Sequence, residues 1–482
     1  MRQFLLYFLK RKHPCSNSGL KLPPLVIIAL AIFSFVCAQE SQMRKGPYLI
    51  YPNNPSQMTV LWQLKNSDTC RLQWGLTPAC TTGSVFTTET ENGIDGHQHI
   101  HTLSELTPDR LYYYQITENN NVHAGSFRSA PPDSVGTTSF FVYGDTRTYP
   151  QMHDSVMSGI CHSINDEPSH QTFLLHAGDW NSSSMESYWD SDYFNRECPN
   201  TMEVLSKIPV LGARGNHEDD AAVFRKYWPY PFESEGFYYA FDYGPVHVAV
   251  VDQYTDYSIG SKQIQWLDHD LARSDKPWKF ILLHEPGFSD EGAYPNNRSV
   301  QKVIHPLCRI YGVNAVFGGH SHFYAHCIVD SVHHLTFGGG GGPLYQVGHT
   351  GQGLIMSETS LHYARVSVES DSAVVTVFRP DRTVIDRFSM SDTLEPEPPV
   401  VITKRIAPVQ VYTVPAAKRL VIEIKDYKNT EVTLLDFCGR VMLKENITSP
   451  RTVIDYASYP RGFCCAQITR GTSAPLTRKI LF

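Results

Sequence analysis

The chain of 482 residues contains no CxxC pair, and no apolar run approaches the ~20 residues that a membrane-spanning helix needs. The first absence argues against a zinc knuckle. The second leaves one apolar stretch, LVIIALAIFSFV at 25–36, too short to act as an anchor. Positive charge is not in excess: 41 Lys and Arg face 48 Asp and Glu, a net of −7, so nucleic acid is not expected as the main partner. Internal repeats and disordered low-complexity tracts are missing too. The glycine run FGGGGGP at 337–343 lacks the Lys-Ser/Thr and the following helix of a phosphate-binding P-loop, so a close-packed turn is expected there.

What is present argues for several folded domains. The chain is 41% hydrophobic and 12% aromatic, ample for two to four cores. Arg2, Lys10, Arg11, Lys12 and Lys21 precede the apolar run, and small residues follow Val36, so residues 1–38 read as a secretory signal peptide, leaving no transmembrane helix in the mature chain. Without those five positive charges the remainder carries −12. Removing Cys15 and Cys37 leaves nine of the eleven cysteines, an odd number that requires at least one free or intermolecular thiol; Cys70 and Cys80, spanning one hairpin, are the expected local bridge.

Short alternating runs such as QMTVLWQL, CRLQWGL and RLYYYQIT, separated by turn residues, predict an all-β sandwich over 44–132. His97, His99 and His101 share one face of a strand there; packed or solvent-facing roles are favoured over a metal site. After SAPPDSVG, apolar runs of five to seven residues alternate with helical patterns such as SKQIQWLDHDLARS, predicting an α/β domain over 137–390. SDTLEPEPPV reads as a stiff acidic linker, assigned to 391–401. Residues 402–482 return to β-type runs and form a small all-β domain, basic where the body is acidic.

Within the α/β region, polar residues recur where apolar runs stop. SFFVYGDTR delivers Asp145, TFLLHAGDWN delivers Asp179, IPVLGARGNHED delivers Asn216 and His217, KFILLHEPG delivers His284, and NAVFGGHSH delivers His320 and His322. Loops at the carboxyl ends of neighbouring strands converge on one crevice, so these endings predict one site. Taken alone, GNHEDD would serve as a helix start, with Asn216 as cap and acids in the first turn. Taken together, two carboxylates, an amide oxygen and three imidazoles suit Zn, Fe or Mn, and six ligands suit two ions sharing a carboxylate. Such a pair generates hydroxide and clamps an in-line displacement at phosphorus, which makes phosphate-ester hydrolysis the favoured reaction.

The ordered series GDTR, GDWN, GNHE, LLH and GHSH resembles the calcineurin-like metallophosphoesterases, and the flanking sequence resembles their purple acid phosphatase-like branch. KGPYLIYPNNPSQMTVLWQ and LTPDRLYYYQI likewise resemble that branch's fibronectin type III-like module. The likeness covers roughly residues 44–390 and implies a metallophosphoesterase sandwich of two sheets flanked by helices. It implies two divalent or trivalent ions: Asp145 and His322 on the first, Asp179 as the bridge, and Asn216, His284 and His320 on the second. His217 then lies outside the ligand set as a proton donor or stabiliser of the phosphoryl group. Glu218 either orients His217 or caps a helix.

Departures from the family pattern are informative. Purple acid phosphatases place a tyrosine three residues after the bridging aspartate, where this chain has Ser182, so no tyrosinate–iron chromophore is implied. Other metallophosphoesterases place a histidine two residues after the first aspartate; here it is Arg147, leaving the first ion three protein ligands and freeing Arg147 to contact substrate phosphate. The acid histidine of plant-type members has no counterpart in EPGFSDEGAYP, which makes His217 the leading candidate for that role. His176 is expected to pack beside the bridge residue, Trp180 to wall the pocket or fill core, and Asp252 to support the site at most.

In the tail, EVTLLDFCGRVMLKE, YPRGFCCAQIT and RKILF resemble the C-terminal sorting domain of type IX secretion cargo. That likeness implies recognition by outer-membrane secretion machinery and a destination at the cell surface or in the medium. The resulting expectation is an exported dinuclear phosphoesterase acting on small-molecule or phosphoprotein esters, monoesters first. The alternatives are a phosphodiesterase or nucleotide hydrolase on the same site, and a non-catalytic surface adhesin around a decayed phosphatase core.

Overall fold

A computed structural model of the chain describes residues 41–391 and 409–481, apart from 67, 94–95, 220, 234–235, 415–417, 425–426, 437–438, 460–462 and 471–475. The expected signal peptide and all but the first residue of the expected linker lie outside the described residues.

Alternation in the N-terminal sequence becomes strands with one face in and one face out, as in Leu111–Glu118, where every second residue is buried. Two four-stranded sheets result. One contains Met43–Ile50, Met58–Leu64, Gly96–Leu103 and Glu91–Gly93; the other contains Gly83–Thr87, Cys70–Gly75, Leu111–Glu118 and Asn121–Arg128. Trp62, Leu72, Tyr114, Ile116 and Phe127 fill the space between them. His99 is buried and stacks on Trp62 with ring centroids 5.0 Å apart, while His97 pairs with Glu89 at 2.8 Å. Packing and a hydrogen bond to Glu89 therefore account for these two rings.

The expected Cys70–Cys80 bridge is not formed. All eight described cysteines are free, and the Cys70 sulfur accepts a hydrogen bond from the Trp62 indole at 3.4 Å. Cys70 lies opposite Thr87 at one end of its hairpin, whereas Cys80 sits in the turn beyond Gly75. Five residue steps of strand span ~17 Å, far more than the ~7 Å that a disulfide tolerates between Cα atoms.

Two larger sheets form the central domain. In the six-stranded sheet, Thr138–Tyr143, Leu174–His176 and Val210–Gly212 run parallel, and the antiparallel strands Tyr363–Val368, Ser372–Phe378 and Val384–Ser391 extend it. The seven-stranded sheet has Val246–Val250, Trp278–Leu282, Ala315–Gly318 and Val332–Phe337 in parallel at its centre. Phe140 of the first sheet meets Phe173 at 4.8 Å and Phe280 of the second at 5.6 Å, and Phe280 meets Phe317 at 5.1 Å. Each such buried ring contributes roughly 1.5–3 kcal/mol, which holds the two sheets face to face. The helix Lys262–Arg273 starts where the Ser261 hydroxyl accepts from the Ile264 amide, and it buries Ile264, Leu267 and Leu271 at helical spacing beside the second sheet.

A third, all-β unit pairs a three-stranded sheet (Val409–Val414, Arg419–Ile424, Arg451–Asp455) with a four-stranded one (Val441–Asn446, Thr430–Asp436, Phe463–Arg470, Leu476–Leu481). Leu420, Ile422, Val432, Leu434, Ala466 and Ile468 are its core.

Candidate metal centre

The carboxyl ends of three strands in the first sheet and two in the second face one crevice. Asp145 follows Thr138–Tyr143, Asp179 follows Leu174–His176, and Asn216 and His217 follow Val210–Gly212. His284 follows Trp278–Leu282, and His320 and His322 follow Ala315–Gly318. Asp145, Asp179 and His320 hold left-handed backbone, with φ of 59°, 55° and 66°. Such strain in non-glycine residues concentrates where a side chain must be aimed against the run of the chain. Gly178 also has positive φ, and a Cβ there would lie 2.6 Å from His284 Nδ1.

Two groups of ligand atoms result. Asp145, Asp179 and His322 offer ligand atoms all within 4.8 Å of one another, and all three residues are buried. His322 Nδ1 lies 2.6 Å from the Pro343 carbonyl and donates to it, which turns Nε2 toward Asp145 Oδ1 at 3.4 Å. In the second group, Asn216 Oδ1 is 3.2 Å from His284 Nε2 and 3.1 Å from His320 Nδ1, and His284 Nε2 is 3.3 Å from Asp179 Oδ1. His284 Nδ1 donates to the Ala177 carbonyl at 2.7 Å, which turns Nε2 toward Asn216 and Asp179. Carboxylate, amide and imidazole ligand atoms thus converge in two groups, each oriented by hydrogen bonds from outside the group. Bonds of ~2.0–2.2 Å to one ion place neighbouring ligand atoms ~3.0–3.5 Å apart, so the donor set fits metal.

The charges respond to this crowding. Burial works to raise the Asp145 carboxyl, yet the His322 hydrogen bond and the imidazoles of His284, His322 and His320 hold it below the usual carboxylate range. His284 is lowered by burial but ends above the ordinary imidazole value because Asp179 and Asp145 face it. Burial and His284 hold His320 below that value.

Glu218 neither orients His217 nor caps a helix. Its buried carboxylate accepts from the amides of Gly215 (2.8 Å), Trp180 (2.9 Å), Asp179 (3.1 Å) and Asn181 (3.3 Å). It therefore shapes the loop that presents Asp179. Burial and then the Asp179 charge push Glu218 up to about 8, against the four amides that favour its ionised form.

His217 is oriented from elsewhere. Its amide donates to Asp179 Oδ1 at 3.1 Å and its Nδ1 donates to the Ser182 carbonyl at 2.8 Å, leaving Nε2 3.8 Å from Asp179 Oδ2 on a ring 28% exposed. Ser182, at the position of the family tyrosine, is bound by Asp192 Oδ2 through both its amide (2.9 Å) and its hydroxyl (2.7 Å). Arg147 lies at the mouth: Nε is 3.4 Å from Asp179 Oδ2, and one terminal nitrogen is 3.5 Å from His322 Nε2 and 3.4 Å from the Tyr345 hydroxyl.

Four further expectations resolve here. His176 is packed, stacked on Trp180 with centroids 3.7 Å apart and hydrogen-bonded to Thr146; Trp180 is fully buried and fills core rather than walling the pocket. Asp252 forms a buried bidentate pair with Arg214. The glycine run is the close turn: the Gly342 amide donates to the Asp145 carbonyl at 2.7 Å, and a Cβ at Gly342 would meet His322 at 2.8 Å. Sequence reasoning missed the pair Tyr294 and Tyr345, whose rings lie 4.5 Å from His320 and 4.3 Å from His322. Both sit in irregular loops, where no periodicity marks them.

Comparison with known proteins agrees with this layout. Residues 122–324 match the calcineurin-like phosphoesterase family, and residues 45–131 match the purple acid phosphatase N-terminal domain. The chain is 25% identical over 339 residues to probable purple acid phosphatase 20 of Arabidopsis thaliana, covering 62% of this chain and 76% of that protein. It is 25% identical over 260 residues to purple acid phosphatase 1 of Ipomoea batatas, covering 50% and 54%. Against several such relatives it spans about half their length. In fold it is similar to purple acid phosphatase PPD1 from yellow lupin seeds (TM-score 0.62, 17% identity, 72% and 74% of the two chains) and to PhoD (TM-score 0.55, 11% identity, 85% and 94%). The chain thus contains a calcineurin-like phosphoesterase domain preceded by a purple acid phosphatase N-terminal domain, and the relatives named here are purple acid phosphatases.

Proposed function

We propose that the protein hydrolyses phosphate esters, monoesters first, at this crevice. Asp145, Asp179 and His322 would hold one ion and Asp179, Asn216, His284 and His320 the other, drawn from Fe, Zn or Mn. The convergence of Asn216 Oδ1 and Asp179 Oδ1 on His284 Nε2, at 3.2 and 3.3 Å, is the observation that carries the reading, because an amide oxygen, an imidazole and a carboxylate at that spacing match the ligand set of one cation. When bound, such a pair supplies hydroxide at neutral pH and offsets charge on the phosphoryl group.

The chain's own residues would do the rest. Asn216 contributes a neutral oxygen, limiting negative charge where an anionic ester must enter. His217, fixed through Nδ1, keeps Nε2 free at the mouth to give a proton to the departing oxygen or to bind a phosphoryl oxygen. Arg147 offers a fork of donors to the phosphoryl group in place of Asp179 and Tyr345. A monoester dianion gains more from this concentration of positive charge than a singly charged diester does.

Export follows from residues 1–38 and the resemblance of 402–482 to a type IX sorting domain; among the described residues no helix is long and apolar enough to cross a membrane. Elemental analysis of the pure protein, with turnover of a panel of aryl phosphate monoesters, diesters and nucleotides compared with Asp179→Asn, tests the reading. Bound metal and turnover lost in the variant are expected. Wild-type turnover no higher than the variant's would favour the adhesin alternative, and faster diester or nucleotide cleavage would reverse the substrate preference.

A further inference from the structure

The two ligand groups are not equivalent, and the reason is Arg147. The second group brings four protein ligands, Asp179, Asn216, His284 and His320, which fill a tetrahedron unaided. The first brings three, Asp145, Asp179 and His322. A fixed cation stands beside that first group: Arg147 Nε lies 3.4 Å from Asp179 Oδ2, and the far nitrogen lies 3.5 Å from His322 Nε2. With metal–ligand bonds of ~2.0–2.2 Å, Nε would be no more than ~5.6 Å from an ion bound to that Asp179 oxygen. A guanidinium stays charged at any ordinary pH and coordinates no metal, so it competes for the same lone pairs and repels the ion that takes them.

The arginine is also held in place. Asp192 Oδ2 accepts from the Thr148 amide at 3.2 Å and from Ser182, tying the loop that presents Arg147 to the loop that follows Asp179. Arg147 Nε is buried and makes no hydrogen bond, its facing carboxylate oxygen being Asp179 Oδ2 at 3.4 Å, and its other end reaches the Tyr345 hydroxyl at 3.4 Å. Nothing comparable faces the second group among the described contacts of Asn216, His284 and His320, whose polar neighbours are carboxylates, carbonyls and one another.

We propose that Arg147 makes the two cation sites unequal: the Asp179–Asn216–His284–His320 site retains its ion, and the Asp145–Asp179–His322 site binds weakly and exchanges. This rests on the two-ion reading above. It assigns Arg147 a second role, as the residue that keeps the first site open to metal exchange until a phosphoryl group draws the guanidinium away from Asp179.

The test uses the full-length chain, stripped with chelator and titrated with Zn2+ alone by calorimetry, with elemental analysis after dialysis against a weak chelator. Wild type is expected to bind in two phases separated at least tenfold in affinity, about 1.4 kcal/mol, and to retain one ion per chain. His322→Ala should keep that retained ion and His284→Ala should lose it. Arg147→His, which supplies an imidazole in place of the cation, should tighten the weak phase at least tenfold, and Arg147→Ala should tighten it by less. Two phases of equal affinity, retention in His284→Ala with loss in His322→Ala, or a weak phase unmoved in both Arg147 variants would each overturn the proposal. Equal phases accompanied by turnover would leave the phosphoesterase reading standing, whereas no Zn2+ bound at either site would remove both.

Discussion

His97, His99 and His101 alternate along one β-strand of the N-terminal sandwich, while His284, His320 and His322 stand just beyond two strand ends in the central domain. The first three look more like a metal motif on paper because their spacing is regular. Yet the strand presses the middle ring flat against Trp62 and gives another to Glu89, so neither nitrogen set converges. The second three are spaced irregularly, and their nitrogens face Asp145, Asp179 and Asn216 across 3.1–3.4 Å. Position at a strand end, where backbone hydrogen bonding stops and side chains from different strands meet, outweighs local spacing.

The sharpest way to break this comparison is to remove the shared carboxylate. Asp179→Asn is expected to lower aryl phosphate turnover by several kcal/mol of barrier, on the order of 10³-fold, with loss of bound metal; unchanged kcat would dissolve the contrast. Next comes His217→Ala, expected to cost ~10²-fold or more in kcat while metal content stays at the wild-type level, measured on the same sample. In the sandwich, His99→Ala should lower unfolding free energy by about 2–4 kcal/mol by denaturant titration and leave turnover per folded molecule unchanged.

His99 also makes a pH contrast. Burial holds its imidazole down to about 4, so the unfolded chain binds the proton more readily between about 4 and 6.5. Stability from this ring is complete above 6.5, falls as pH drops toward 4, and falls no further below; His99→Gln should flatten that part of a melting-temperature profile. His247 runs the other way. Despite its burial, hydrogen bonds to Asp242 and Asp270 raise it to about 9, so its contribution is full below 6.5 and lost as pH rises through 9. The smallest effect belongs to Tyr345→Phe, which removes the hydroxyl beside Arg147 and should change KM by about twofold to fivefold with kcat preserved.

Much of this was legible in the primary structure. Period-two burial in Leu111–Glu118, the helical spacing of Ile264, Leu267 and Leu271, and polar residues ending five apolar runs all follow from local geometry. The Cys70–Cys80 expectation failed because it counted residues rather than the length of strand between them. Glu218 was misread for a related cause. Its neighbours in sequence suggested a helix start, but its partners at 179–181 come from another strand's loop.

Residue order alone determined which elements form and which ligand types stand at their ends, since both depend on contacts within a few positions. Only the folded arrangement decided that Glu218 cradles the Asp179 loop, that Asp192 ties Ser182 to Thr148, and that Arg147 lies against the first ligand group. Those contacts join residues 10 to 175 positions apart, and their energies depend on distances that arise when two sheets pack and bring their strand ends to one edge.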